Sequence, residues 1–312
     1  MISPNFDYFL QIVECKSISR AAERLYISQP ALTKYLRNLE TDLGIRLFAR
    51  TQGELKITDA GKYYYEYVQH VKNEERNLRT RISEIQFEGR ATLRIGMPLW
   101  RSSVMLPDFL HMFLQEYPLI SVELMEGSAA KLEAALMNED VDLCIMNLPV
   151  NYANVSYLPV AEEYIYLVGS RENELVKRIC AGHPDCAHPN VDIRQFAQQP
   201  FVLTKPGQHI TEYINTMLSR NDMVLNCILR TSNVTTAVNM AACDLGFTFV
   251  PEAGTRSRFF PSRDAVLFTV NDPPMRCTLA AVYKRSVYLS KAAQIFIRKL
   301  TEYIDQCREK EG

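Results

Sequence analysis

From Thr58 to Phe87 the chain contains no proline, and Tyr64, Val68, Val71, Glu75, Leu78, Ile82 and Ile85 recur alternately four and three residues apart. That spacing lays the apolar groups along one stripe of a single long helix, a heptad seam with one polar interruption at Glu75. Such a seam needs a partner, either the chain's own C-terminal part or a second copy of the chain. The helix also divides the sequence. Before it the periodicity is that of short helices, and after Gly89 strands alternate with helices. With 312 residues, 47% of them apolar, the chain is too long for one ordinary core and suits two or three domains.

In the N-terminal part, Phe6, Phe9, Leu10 and Val13 share one face of a first helix. Ser19 is a suitable N-cap for a second, Arg20 to Leu25, whose paired Ala21 and Ala22 allow a neighbouring helix to come close. After a turn at Tyr26 and Ile27, Ser28 can cap a third helix with Gln29 and Pro30 in its first turn, where the missing proline N–H costs nothing. Leu32, Leu36 and Leu39 form its apolar face. Gln29, Thr33 and Arg37, with Pro30 and Lys34 beside them, form the opposite one, which carries no carboxylate. Amide, hydroxyl and cationic groups on one helix face are what base edges in a major groove require. The formal net charge is only -1, so a nucleic-acid surface must be local. Seven basic residues against three acidic ones between Lys16 and Arg50 supply such a patch, although the same charges also suit the solvated side of an amphipathic helix.

The order of residues narrows this choice. The run from Ala21 to Glu40 (AAERLYISQPALTKYLRNLE), followed by Leu43-Gly44-Ile45-Arg46-Leu47-Phe48-Ala49-Arg50 and Thr58-Asp59-Ala60-Gly61, closely resembles the winged helix-turn-helix of the LysR family of transcription regulators. The resemblance implies that Ser28, Gln29, Pro30, Thr33 and Lys34 belong to the DNA-reading element, with Arg37 and Arg50 on phosphates or the flanking minor groove. Thr33 and Lys34 stand where the family most often has serine and arginine, and lysine lacks the planar bidentate fork. The wing reads Gln52-Gly53-Glu54, where the family is usually basic, so Arg50 is the better contact.

The C-terminal two-thirds read as β-α-β-α-β: a strand at Leu93 to Gly96, a helix from Ser103 to Glu116, a strand from Ser121 to Met125, a helix from Ala129 to Met137 and a strand from Val141 to Met146. This is the pattern of a mostly parallel sheet covered by helices on both faces. A second lobe begins near Tyr164, with Phe201 to Leu203, a helix around Ile210 to Leu218, Cys227 to Leu229, and Leu245 to Val250. The chain returns through Val266 to Phe268 and Thr278 to Tyr283 to a final helix near Ser290. Two crossings between α/β lobes imply a hinge and a cleft. The order is similar to the LysR-family sensor domain, itself built like a periplasmic binding protein. The fold expected is therefore α/β: an all-α winged helix-turn-helix over residues 1–58, a linker and dimerisation helix over 59–88, and an effector-binding domain over 89–312. Lobe I of that domain comprises 89–163 and 269–312, and lobe II comprises 164–268.

Ligands of open α/β sheets sit at the carboxyl ends of strands and the N-termini of following helices. This rule selects Leu99, Trp100, Arg101 and Ser102 after the first strand, Ser128 after the second and Asn147 after the third, with Thr204 beside Lys205 in the second lobe, and Phe247 of the same lobe is a further effector-binding candidate. Trp100 and Arg101 could hold a planar or carboxylated effector by stacking and charge. Equally, Trp100 could pack on the neighbouring lobe while Arg101 points to solvent. The family's effector pocket falls at the corresponding places.

Cys180, His183, Cys186 and His188 fall within nine positions of an expected inter-element loop. Thiols and imidazoles are zinc ligands, and nearby cysteines can form a disulfide as in the peroxide-sensing branch of the family. The spacing is not a standard zinc pattern, and the segment reads as a surface insertion with no metal assigned. The other cysteines sit mostly in apolar runs, as small hydrophobes do in a reducing compartment. No stretch is apolar for long enough to span a membrane, and Met1 to Asp7 lacks the features of a signal peptide, so a cytoplasmic location is expected. Nucleotide-loop, zinc-protease and nucleophile-elbow motifs are lacking, which argues against the rival reading of an enzyme. No cofactor is expected. The partners expected are a double-stranded DNA operator, a small-molecule effector, the chain itself as a dimer and a dimer of dimers, and RNA polymerase if the regulator activates.

Overall fold

The computed structural model describes residues 6–51, 54–86, 90–150, 154–220, 222–256, 260–270, 274–285 and 287–309, and the chain divides into two compact units, Met1–Ile82 and Ser83–Gly312. Gln52, Gly53, Phe87 and Gly89, which the sequence reading used, lie outside the described residues.

The first unit contains α1 (Phe6–Cys15), α2 (Ile18–Arg24), α3 (Gln29–Leu43), a hairpin of β1 (Phe48–Thr51) and β2 (Glu54–Ile57), and α4 (Asp59–Gln86), which runs on past its boundary. Ser17, two residues before the expected Ser19, caps α2 by accepting from Arg20 N, because the helix already starts at Ile18. Ser28 caps α3, and Gly44 ends it at φ +68°, a left-handed conformation that glycine adopts without cost. Phe9, Ile12, Ala21, Ala22, Leu32, Leu36, Leu47, Phe48 and Val68 form the core, with the Tyr64 ring edge-on to Phe9 at 4.8 Å. The heptad seam is thus divided. Tyr64 and Val68 pack within this unit, whereas Leu78 and Ile82 are each 47% exposed.

The second unit runs β3 (Ala91–Met97), α5 (Leu99–Glu116), β4 (Ile120–Glu126), α6 (Ala129–Met137), β5 (Leu143–Asn147), β6 (Val155–Ser170), α7 (Glu174–Gly182), β7 (Asn190–Val191), a short 3-10 turn (Ile193–Phe196), β8 (Pro200–Thr204), α8 (His209–Arg220), β9 (Asn226–Thr231), α9 (Val234–Ala242), β10 (Thr248–Pro251), α10 (Glu252–Thr255), β11 (Ala265–Val270), β12 (Arg276–Lys284) and α11 (Lys291–Glu309). The strand order β4-β3-β5-β12-β6-β11-β7 is mixed. β3 is parallel to β4 and β5, and β12 is antiparallel to β5 and β6.

The strand β6 joins the lobes. Residues 155–164 pair with β12 in the first lobe, and residues 165–170 pair with β10 and β11 in the second. The expected lobe boundary therefore falls in the middle of one continuous strand that the sequence reading did not resolve. α7 and α9 were also unread, and α5 begins at Leu99, not Ser103, so Leu99 to Ser102 occupy its first turn instead of a preceding loop. Each lobe has its own interior. Phe109, Phe113 and Phe296 lie in the first, and Phe196, Phe201, Phe247, Phe249 and Phe268 in the second.

Candidate nucleic-acid interface and ligand cleft

Helix α3 is held from below and open above. Leu32 and Leu36 are buried at 0% and 7% exposure, while Ser28, Gln29, Pro30, Thr33, Lys34 and Arg37 are all solvent-accessible. Some of these groups are already oriented. Ser19 Oγ donates to Gln29 Oε1 at 3.2 Å, and Thr33 Oγ1 donates to Gln29 O at 2.9 Å. An amide can pair with adenine and a methyl can pack on thymine. Arg50 lies on β1, and its side chain falls outside the described structure.

Two further residues position the wing. Glu40 Oε1 accepts from Leu47 N at 2.7 Å and Phe48 N at 3.2 Å, tying α3 to the start of β1. Gly61, at the start of α4, allows a very close approach: a Cβ there would lie 2.2 Å from Leu47 O and 2.6 Å from Ile57 Cγ1. Both residues stand within the stretches that resemble the LysR helix-turn-helix. The packing role of each needs the fold, since no local periodicity marks it.

In the second unit the carboxyl ends of β3, β4 and β5 lie side by side, and the N-termini of α5 and α6 follow two of them. Arg101, on the first turn of α5, is fully buried. It donates from Nη1 and Nη2 to the two carboxylate oxygens of Glu163 at 2.9 and 2.7 Å, and from Nη2 to Asn147 Oδ1 at 2.9 Å. Asn147 Nδ2 in turn donates to Glu163 Oε2 at 3.3 Å and to Cys277 Sγ at 3.2 Å. Burial pushes the Glu163 carboxyl up, but the charge and hydrogen bonds of Arg101 and Asn147 outweigh it and hold the group below the usual carboxylate range. Arg101 Nε is buried without a partner. Burial also raises the Cys277 thiol, which stays protonated.

The two fates considered for Trp100 and Arg101 are both modified by this geometry. Trp100 does pack on the second lobe, among Tyr166, Val168, Val234, Val238 and Val250, with the Arg101 guanidinium 4.6 Å from its ring centroid. Arg101 does not reach solvent, because Glu163 faces it. Glu163 was missed, although strand alternation places it on the buried face with Ile165 and Leu167.

The remaining cleft positions differ in character. Leu99 is 55% exposed, and the one Ser102 Oγ–H is within reach of two acceptors, Leu99 O at 2.8 Å and the Glu126 carboxylate. Ser128 caps α6 through Lys131 N. Thr204 Oγ1 is paired with Thr211 Oγ1 at 2.6 Å. Phe247 stands in the second lobe's core, against Phe196 and Phe201, and not on the cleft, because the chain before β10 is tied to β8 by Phe247 N to Pro200 O and Val202 N to Phe247 O, both at 2.8 Å. Cys180 lies in the last turn of α7, and with His183, Cys186 and His188 it lines one cavity. Among the described residues no helix is long and apolar enough to cross a membrane.

Comparison with known proteins agrees with this layout. Residues 5–62 match the bacterial regulatory helix-turn-helix domain of the lysR family, and residues 88–305 match the LysR substrate binding domain. The Bacillus subtilis HTH-type transcriptional regulator YcgK is 27% identical over 308 residues, covering 96% of this chain and 94% of that protein. A full-length, singly substituted OxyR from Pseudomonas aeruginosa superposes with a TM-score of 0.69 at 18% identity, covering 96% of this chain and 95% of that one. Full-length CbnR complexed with its target DNA superposes with a TM-score of 0.65 at 16% identity, covering 95% and 97% of the two chains. The chain therefore belongs to the LysR family of DNA-binding transcription regulators that carry a small-molecule effector domain.

Proposed function

We propose that residues 1–58 read an operator through Gln29, Pro30, Thr33 and Lys34, with Arg37 and Arg50 on the backbone, and that residues 59–88 pair two copies of the chain. Residues 89–312 then hold an effector between the lobes. The observation that carries the DNA reading is the division of α3, whose leucines are buried while the polar groups of the opposite face are solvent-accessible. The structure of CbnR on its target DNA supports the same use of this fold. A dimer, or a dimer of dimers, suits an operator with two half-sites, and an activating form would also meet RNA polymerase. The protein works in the cytoplasm by this reading and catalyses no reaction.

The effector lies near Leu99, Trp100, Arg101, Ser102, Ser128, Asn147 and Thr204. Because Arg101 is committed to Glu163, a carboxylated effector gains its charge only by replacing the Glu163 carboxylate, or reaches it through the unpartnered Nε. Ligand coupling to DNA requires unequal affinity for two lobe arrangements.

A mobility-shift assay on the DNA upstream of the chain's own gene, comparing wild type with Gln29→Ala and Lys34→Ala over a range of salt, tests the DNA reading. Sequence-selective binding should weaken about tenfold or more in each variant, since a good base contact contributes about 1–3 kcal/mol. Equal affinity of all three proteins for a selectively bound operator would remove α3 as the reading element.

A further inference from the structure

The second lobe carries an open cavity of about 410 Å³ that belongs neither to the cleft nor to the DNA-reading face. Its volume is within the range of small-ligand sites, about 300–1,000 Å³. Cys180, His183, Cys186 and His188 line it, joined by Arg171 and Phe260. We propose that these two thiols and two imidazoles form a binding site for a d10 metal ion, Zn(II) or Cu(I), that is independent of the effector in the cleft.

Two successive turns carry the chain past Cys180, His183 and Cys186, and His188 follows on the wall of the same cavity. His183 N donates to Cys180 O at 3.0 Å, and Cys186 N donates to His183 O at 3.2 Å. Cys180, His183 and Cys186 are thus each separated by two residues, which is not a standard zinc pattern but keeps three donors within one short loop. Both imidazoles have their protons placed by the backbone. His183 Nδ1 lies 3.1 Å from Ile179 O, and His188 Nδ1 lies 2.7 Å from Ala187 O. A carbonyl oxygen only accepts, so each Nδ1 is the donor, and in a neutral ring held this way Nε2 is the nitrogen that would ligate a metal. Both cysteines are free thiols.

The donor chemistry selects the ion. No carboxylate lines the cavity among the described residues, which disfavours calcium and magnesium, while thiolate with imidazole suits Zn(II) and Cu(I). Two thiolates and two neutral imidazoles cancel a divalent charge, and binding releases the two thiol protons. Among the described residues no three histidine, cysteine or acidic side chains are gathered closely enough to hold an ion as the loop stands, so binding draws the exposed His183, Cys186 and His188 inward. Phe260 lines both this cavity and a crevice of about 10 Å³ beside Trp100, the chain's one tryptophan, so loop closure is reported at that ring.

The test uses the reduced, metal-free full-length protein. Zn(II) is titrated against a chromogenic chelator, Co(II) serves as an optical stand-in, and Trp100 emission is recorded in parallel. One ion per chain is expected, with thiolate-to-cobalt charge-transfer absorption and a change in Trp100 emission. Cys180→Ser and Cys186→Ser should each abolish the charge-transfer band, and His183→Ala and His188→Ala should each weaken binding at least about tenfold. Cys243→Ser, at an exposed thiol elsewhere, should retain one equivalent. The proposal fails if uptake stays well below one ion per chain, or if the Cys180→Ser/Cys186→Ser double variant takes up as much metal as wild type. It also fails if the reduced protein binds no metal and the two thiols instead form a disulfide on mild oxidation.

Discussion

Arg101 and Glu163 face each other fork to fork inside the C-terminal unit, at 2.9 and 2.7 Å, with 0% and 3% of their surfaces exposed. One partner comes from the first turn of α5 and the other from the strand that both lobes share, so the pair ties the helix to the hinge.

Removing either partner strands a buried charge. Arg101→Met should cost about 3–5 kcal/mol, because the Glu163 carboxylate remains without its counter-charge. Urea unfolding followed by far-ultraviolet circular dichroism checks this, and a loss below about 1 kcal/mol would show that the pair is not the anchor described.

The same pair sets an acid limit. The folded Glu163 carboxyl is held below its usual value, so its contribution is complete above the unfolded glutamate pKa of about 4.3 and is lost as pH falls through the lower folded value. The urea midpoint of wild type should therefore decline more steeply below about pH 4.3 than that of Glu163→Gln. Identical slopes for the two proteins would remove Glu163 as a contributor.

Glu40 holds the chain leaving α3 by two hydrogen bonds to backbone N–H groups. Glu40→Ala should destabilise the first unit by about 1.5–3 kcal/mol, the range for a bond to a charged group, and should speed hydrogen exchange at Leu47 and Phe48. Glu40→Gln, which retains the acceptor oxygen, should lose less. Unchanged exchange in Glu40→Ala would contradict this role.

Gly61 has no room for a side chain. Gly61→Ala places a methyl against Leu47 O and Ile57 Cγ1, and should cost roughly 1–3 kcal/mol by overpacking, read as a lower melting temperature of the DNA-binding unit. An unchanged melting temperature would show that the hairpin yields to the methyl without loss.

Leu78 and Ile82, two of the seven seam positions, are exposed. Leu78→Asp with Ile82→Asp should shift the protein toward monomer in sedimentation velocity and weaken operator binding, while the core around Val68 stays intact. A dimer undiminished in the double variant would place self-association on another surface.

Much of this protein is legible in its sequence because local rules govern it. The cap at Ser28, the leucine stripe of α3, the glycine that ends it and the length of α4 follow from spacing and residue type within a few turns. The alternation of strands and helices announces two α/β lobes for the same reason. Long-range pairing decided the rest. The strand from Val155 to Ser170 crosses both lobes and takes its partners from segments about a hundred residues away. Glu163 meets Arg101 across 62 positions, and no local pattern specifies that distance. Phe247 shares a short apolar run with strand residues, and only its backbone bonds to β8 set it in a core and away from the cleft. Cys180, His183, Cys186 and His188 are adjacent in sequence, yet the wall they share with Phe260 and Leu267 exists only once β11 has folded against the hinge strand. Local propensity reaches along the chain, whereas burial and charge pairing act through space, and the cleft and the thiol cavity are products of the second.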